Sequence, residues 1–301
     1  MTGAVSTLFE QVLNGLTLGG IYALIALGYT MVYGVLLMIN FAHSELFMIG
    51  GVVSWLLLSL LPAGAGVGAL TACLVVSMAA SGLAAVILDR VAYAPLRRSA
   101  RLTPLISAIG ASLFLQNLVF LWRDSQLSFP RPFAVVRYHF GALEINSLQV
   151  LIIATSVALM GALTFFVQKT RLGKAMRAVA QDAETAELMG VPVNRLIALT
   201  FLIGGALGGA AGTLNGLYYG SVKYNMGFFP GVKAFTAAVL GGIGNIPGAM
   251  LGGFLLGLLE SLGAGFLPEP EWKDVFAFAV LILVLILRPS GLLGEHVPEK
   301  V

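Results

Sequence analysis

The first residues that could do chemistry lie in one short polar run, Met38-Ile39-Asn40-Phe41-Ala42-His43-Ser44-Glu45, set between two apolar stretches. Asn40, His43 and Glu45 form the densest cluster of ionisable and amide side chains in the first 88 residues. An ionised carboxylate among apolar neighbours is costly unless it is paired or hydrated. On a helical turn Asn40 and His43 would share a face, while His43 and Glu45 would point about 200° apart. That arrangement suits side chains lining a polar pathway or gate. It equally suits an interfacial turn with a capping Asn and a hydrated Glu. A metal site would need a third ligand nearby.

Glu260 is the other isolated carboxylate, four residues after Leu256 inside an apolar run. An acid in such a run marks a functional site by default, and the competing reading places it near an interface. Lys223 and Lys233 flank the turn Tyr224-Asn225-Met226-Gly227-Phe228-Phe229-Pro230. Both have stems long enough to snorkel to a polar surface. The segment 169–195, KTRLGKAMRAVAQDAETAELMGVPVNR, is polar enough to leave a membrane. Met176, Ala180, Ala183 and Ala186 with Glu187 suggest one helical stretch that stops at Gly190. An exposed helix of small residues can dock in a groove on another protein, although a solvated loop helix would look the same.

No catalytic, cofactor or metal site is expected. The run Gly241-Gly242-Ile243-Gly244-Asn245-Ile246-Pro247-Gly248 is glycine-rich, but it lacks the Lys and hydroxyl with which a phosphate-binding loop holds a nucleotide. His43, His139 and His296 do not stand beside a nucleophile pair. Cys73, the single cysteine, sits in an apolar run and reads as packing.

The elements that must position these residues are membrane spans. Of the 301 residues 58% are hydrophobic and only 10% charged, and mean hydropathy is +0.94. A soluble domain carries roughly 25% charged residues, so most of this surface faces lipid, and residues 1–301 read as one bundle. The net charge of +3 is topological. No Lys or Arg precedes Arg90, and most later ones fall in short gaps, which argues against a nucleic-acid partner. The first residues lack the charged start and cleavage site of a secretory signal, so the first span is expected to stay.

Since a bilayer core needs about 20 apolar residues, eight spans are expected: Gly15–Met38, Leu46–Leu61, Val67–Leu88, Leu102–Trp122, Leu148–Val167, Leu196–Tyr218, Ala249–Phe266 and Val275–Leu287. A shorter Ala234–Ile243 segment reads as broken or re-entrant, with Gly244, Asn245 and Pro247 at its turn. Such backbone survives at membrane depth only where protein or an aqueous cavity covers it. Arg90, Arg97, Arg98 and Arg101 in one gap, and Lys169, Arg171, Lys174, Arg177 and Arg195 in another, read as cytoplasmic. The acidic gap at Glu269, Glu271 and Asp274 reads as outside. Polar interruptions at similar places in the two halves point to a transporter repeat.

Glu184-Thr185-Ala186 with Gly190 four residues on looks like the Glu-Ala-Ala-x-x-x-Gly loop of ABC-importer permeases, with Thr for the central Ala. Together with LGYTMVYGVLLMINFAHSELFMIGG (27–51), KAFTAAVLGGIGNIPGAMLGG (233–253) and LRPSGLLG (287–294), the chain resembles LivH-type permeases of branched-chain amino acid ABC transporters over nearly its whole length. Ser44 departs from the family pattern Asn-Phe-Ala-His-Gly-Glu, and serine accepts fewer backbone conformations than glycine. The resemblance implies an all-α polytopic subunit of the bacterial cytoplasmic membrane. It implies as partners a second related permease, two ATP-binding subunits that hold ATP and magnesium, and an extracytoplasmic solute-binding protein. Glu184, Ala186 and Gly190 would carry the coupling to the ATPase. For the pathway the resemblance supports Asn40, His43 and Glu45, to which the residue reading adds Glu260 and the broken segment at Gly241, Gly242, Gly244, Asn245 and Pro247. The cargo would be leucine, isoleucine or valine. Permeases for urea or short amides share the same motifs, and an ion-coupled carrier is the rival from another class.

Overall fold

The computed structural model describes residues 2–62, 64–97, 99–100, 102–140 and 143–294. Arg98, Arg101 and His296 lie outside them. Eleven helices, α1 (Thr2–Leu36), α2 (His43–Leu60), α3 (Gly66–Leu88), α4 (Leu102–Trp122), α5 (Ser147–Lys169), α6 (Arg171–Gln181), α7 (Ala183–Leu188), α8 (Val193–Tyr219), α9 (Phe228–Gly241), α10 (Ile246–Phe266) and α11 (Lys273–Leu287), make up most of it. Among the described residues seven helices are long and apolar enough to cross a membrane. The eighth expected span, Val275–Leu287, is the greater part of α11, whose 15 residues reach only about 22 Å. The chain is a polytopic helical bundle.

The short strands were not expected from the hydropathy pattern. Between α4 and α5 a short β1 (Leu127–Ser128) pairs with β4 (Ser221–Val222), and β2 (Arg137–Phe140) pairs antiparallel with β3 (Leu143–Asn146). Ladders this short carry no hydrophobic period, and β1 meets a strand far away in the sequence. Asn146 then starts α5 through a reciprocal capping box with Gln149.

The most enclosed helices are α1, α8 and α2. α1 is surrounded by other helices, and its most extensive contact is with α10. Glycine makes that contact possible, since a Cβ at Gly257 would fall on the backbone of Gly19. With no hydrophobic drive between helices in lipid, such close approach and interhelical hydrogen bonds carry association. Ser54 of α2 and Ser77 of α3 both bond Thr213 of α8, at 2.6 and 2.8 Å. α4 is peripheral, with Pro104 and Ala108 buried and its other positions partly or fully open.

The two basic gaps meet at one end. Arg97, beyond α3, donates to Asn194 at the start of α8 at 2.6 Å, and α6 and α7 close the same end between α5 and α8. At the other end Gln11 of α1 meets Ser261 of α10 at 2.8 Å, and Asn14 meets Gln149 of α5 at 2.8 Å. The acidic gap follows α10 there.

Candidate functional site

The polar run of the first half is a buried knot at the root of α2. α1 ends as Leu37 takes a left-handed φ of 53°, a conformation that costs an L residue roughly 1–2 kcal/mol. The chain then turns through residues 38–42 and re-enters a helix at His43, whose backbone N–H bonds Asn40 O at 3.0 Å. His43 is fully buried, slotted between Gly28 of α1 and Gly208 of α8. A Cβ at Gly28 would overlap its imidazole. The Tyr29 ring packs edge-on to it at 4.8 Å.

Three side chains leave this root in three directions. Asn40 accepts a 2.6 Å bond from the Tyr93 hydroxyl. His43 lies against Tyr29, and Glu45 accepts from Ser112 of α4 at 3.1 Å and from Ser44 at 3.3 Å. The opposed headings of His43 and Glu45 are as helical geometry requires. Asn40 lies outside α2, so the shared face expected for Asn40 and His43 does not form. Ser44 sits in the first turn of α2 without a positive φ, so glycine's freedom is not needed there. Its hydroxyl faces Phe41 O at 3.0 Å.

What separates this knot from a structural core is incomplete pairing. Seven buried side-chain polar atoms lack a hydrogen-bond partner among the described residues, and four of them are Asn40 Nδ2, both ring nitrogens of His43 and Glu45 Oε2. The Ile25 backbone lies within electrostatic reach of His43, but neither ring nitrogen makes a bond of ordinary geometry. Glu45 Oε2 faces Gly227, just before α9. Orphaned buried polar atoms are rare and call for an explanation such as a transient partner.

Glu260 is different, because its pairing is complete. Its Oε1 contacts Lys233 Nζ at 2.9 Å and Lys273 Nζ at 3.2 Å, and its Oε2 accepts from Tyr22 at 2.8 Å. Lys233 also reaches Asp274 at 2.7 Å. The snorkelling expected of Lys233 is therefore corrected: its side chain is 10% exposed because two carboxylates hold it inside. The group clips α1, α9, α10 and α11 together. Beside it opens a pocket of about 360 Å³ that Asn215, Tyr219, Lys223 and Asn225 also line.

The short second-half segment is α9, 14 residues long and about 21 Å, short of the ~30 Å hydrocarbon core. It starts against Ser44, where Gly227 and Gly231 admit that residue's backbone and Cβ. It stops at Gly241, and Gly242 and Gly244 turn the chain with φ of 104° and 91°. Asn245 caps α10 by accepting from Gly248 N at 2.9 Å, and Pro247 sits in its first turn. The terminal motif returns here. Leu292 and Leu293 donate to the α9 carbonyls of Leu240 and Gly241 at 2.7 and 3.0 Å, while Asn245 Nδ2 bonds Leu293 O at 2.8 Å. Irregular backbone is thus covered by protein. A cavity of about 480 Å³ adjoins the turn, between Thr30, Gln168, Arg177 and Asn245.

The expected single helix before Gly190 is two. α6 lays Gly173, Met176 and Val179 on the bundle and turns Arg171 and Lys174 outward, as an interfacial amphipathic helix does. Asp182 breaks it with an extended φ of −158° and starts α7, accepting from Thr185 N at 3.0 Å. Glu184 lies exposed in the first turn of α7 and Ala186 is its buried residue. Val191 N bonds Ala186 O and Gly190 N bonds Glu187 O, at 3.0 and 2.9 Å, the paired bonds of a Schellman stop. Gly190 takes a φ of 84°. Leu188 and Met189 stand 88% and 81% exposed at the tip, on a loop outside the spans.

The family model described as branched-chain amino acid transport system / permease component matches residues 11–285. The chain belongs to that family. BraD of Pseudomonas aeruginosa, a high-affinity branched-chain amino acid transport system permease protein, is 47% identical over 301 aligned residues covering 97% of each chain. Its Escherichia coli K12 counterpart LivH is also 47% identical, with 97% of each covered. The autoinducer 2 import system permease protein LsrC of Klebsiella pneumoniae is 33% identical over 148 residues, 46% of this chain and 43% of its own. No solved structure matches significantly.

Within this permease the residues that sequence reasoning missed are mostly hydroxyl-bearing partners. Tyr22, Tyr29, Tyr93 and Ser112 touch Glu260, His43, Asn40 and Glu45 in turn. A tyrosine inside an apolar span must find a partner for its hydroxyl, and that signal was present at Tyr22 and Tyr29. Nothing in sequence spacing pairs Lys233 with Glu260.

Proposed function

We propose that this permease component imports leucine, isoleucine or valine across the bacterial cytoplasmic membrane, driven by ATP hydrolysed in separate subunits. The observation that carries this is the full-length likeness to BraD and LivH, joined to a loop shaped for docking. The partners are a second related permease, two ATP-binding subunits that bind ATP and magnesium, and an extracytoplasmic solute-binding protein. The basic end of the bundle faces the cytoplasm.

The mechanism follows from contacts. An ATP-binding subunit grips α7 through Glu184 and the exposed Leu188 and Met189, and the Schellman stop at Gly190 makes α7 a rigid handle on α8. α8 carries Gly208, a wall of the His43 slot, and packs Gly204 on Gly28, the opposite wall. A shift of α8 therefore reaches the root of α2 and uncovers the buried, unpaired atoms of Asn40, His43 and Glu45 to passing cargo. Gly241, Gly242, Gly244, Asn245 and Pro247 shape the inner exit. Glu260 fixes the outer wall, holding α9 through Lys233 rather than offering a free carboxylate.

Cells lacking their own branched-chain transport, supplied with this chain and its partner subunits, test the cargo. Labelled leucine should enter and be displaced by excess isoleucine or valine. Entry of labelled urea, with no effect of leucine on it, would replace this reading with that of an amide permease.

A further inference from the structure

The basic end carries a pocket that the transport reading leaves unused. It measures about 690 Å³ and lies where the helical turns after α3 meet the first turn of α8. Arg90, Arg97 and Arg195 line it with Asp89 and Asn194, so three guanidiniums face one carboxylate. Arg97 is fixed at both tips, to Asp89 at 2.5 Å and to Asn194 at 2.6 Å. Its Nε is buried without a partner. The side chains of Arg90 and Arg195 are exposed and make no hydrogen bond or ion pair among the described residues. Guanidinium forks fit phosphate geometry better than any other side chain.

The position favours a lipid. The continuous helix Gly66–Leu96 has 31 residues, roughly 46 Å at 1.5 Å per residue against a hydrocarbon core of ~30 Å. Arg90 therefore stands at the level of the headgroups. Next to it in the chain Ile87 and Val91 are 62% and 73% exposed, and α4, which packs on the helical turn 89–93, leaves Leu102 and Ile106 each 68% exposed. These apolar surfaces lie ready for acyl chains below a charged pocket. Basic pockets between spans at the cytoplasmic face take anionic headgroups.

We propose that this pocket binds the phosphate of an anionic phospholipid of the inner leaflet, with Arg90 and Arg195 gripping it and Arg97 holding the floor. The test is native mass spectrometry of the full chain in mild detergent, with the subunits that co-purify, titrated with phosphatidylglycerol. The wild type should retain phosphatidylglycerol against excess phosphatidylcholine, and millimolar inorganic phosphate should not displace it. The Arg90→Gln/Arg195→Gln variant keeps the Arg97 brace. With about 1 kcal/mol lost per basic residue, it should bind about thirtyfold more weakly. If that variant does not fold, Arg195→Gln alone should weaken binding about fivefold. Equal retention by wild type and variant would overturn the proposal. So would displacement by phosphate alone, which marks a soluble-anion site, or shielding of both arginines from a guanidinium reagent only when an ATP-binding subunit is docked, which marks a protein interface.

Discussion

Glu45 and Glu260 are both buried carboxylates, and their surroundings assign them opposite duties. Glu260 is ringed by Lys233, Lys273 and Tyr22. Removing one partner of a buried ion pair costs about 3–5 kcal/mol because the other charge is left uncompensated. Glu260→Gln should therefore lower the unfolding temperature of the detergent-solubilised chain markedly. Asp274→Asn, at a side chain 39% exposed, should cost about 1 kcal/mol or less. Equal shifts from the two variants would show that the group is not the clip described here. Glu45 has one oxygen served by two hydroxyls and the other by none. Glu45→Gln keeps the shape and adds a donor where an acceptor faced Gly227. A contact worth about 1.4 kcal/mol in the barrier changes a rate about tenfold, so uptake should fall by about that factor while binding of the ATP-binding subunits stays intact. Transport at the wild-type rate would reduce this knot to an interfacial turn.

At the scale of the element, the α7 stop is the sharpest case. Space does not constrain Gly190, since a Cβ there would meet nothing within 4 Å; its φ of 84° does. Gly190→Leu should cost roughly 1–2 kcal/mol locally, leave the spans folded, and weaken co-purification with the ATP-binding subunits and coupled hydrolysis. Gly190→Asn, which tolerates the left-handed region, should retain most of both. Full coupling in the Leu variant would make the loop a solvated connection. The glycine stop was legible in the sequence because few residues other than glycine suit that conformation. The break at Asp182 was not, since the alanine pattern runs through it and the cap depends on a local backbone choice. α9 was legible as short, but not its terminal cover, because the bonds from Leu292 and Leu293 join residues about fifty positions apart.

For the whole molecule, lipid imposes the long apolar runs, so the bundle could be read directly from composition and seven of its spans from length. The pairing of Lys233 with Glu260 and the burial of His43 depend on which helix faces become neighbours, and apolar runs without strong periodicity do not encode that. Charge does encode the two ends. In a Cys73→Ser background, Lys174→Cys should react with an impermeant thiol reagent only from the cytoplasmic side and Glu269→Cys only from outside; the reverse pattern would invert the map. On the proposed function, this permease moves its cargo with energy supplied by other subunits. The most direct measurement is leucine uptake and ATP hydrolysis, recorded together in proteoliposomes that hold this chain, its second permease and the ATP-binding subunits, with the solute-binding protein outside. Uptake should require ATP inside and should vanish, along with substrate-stimulated hydrolysis, when this chain is omitted. Leucine uptake by the chain without ATP, driven by an ion gradient alone, would contradict the account.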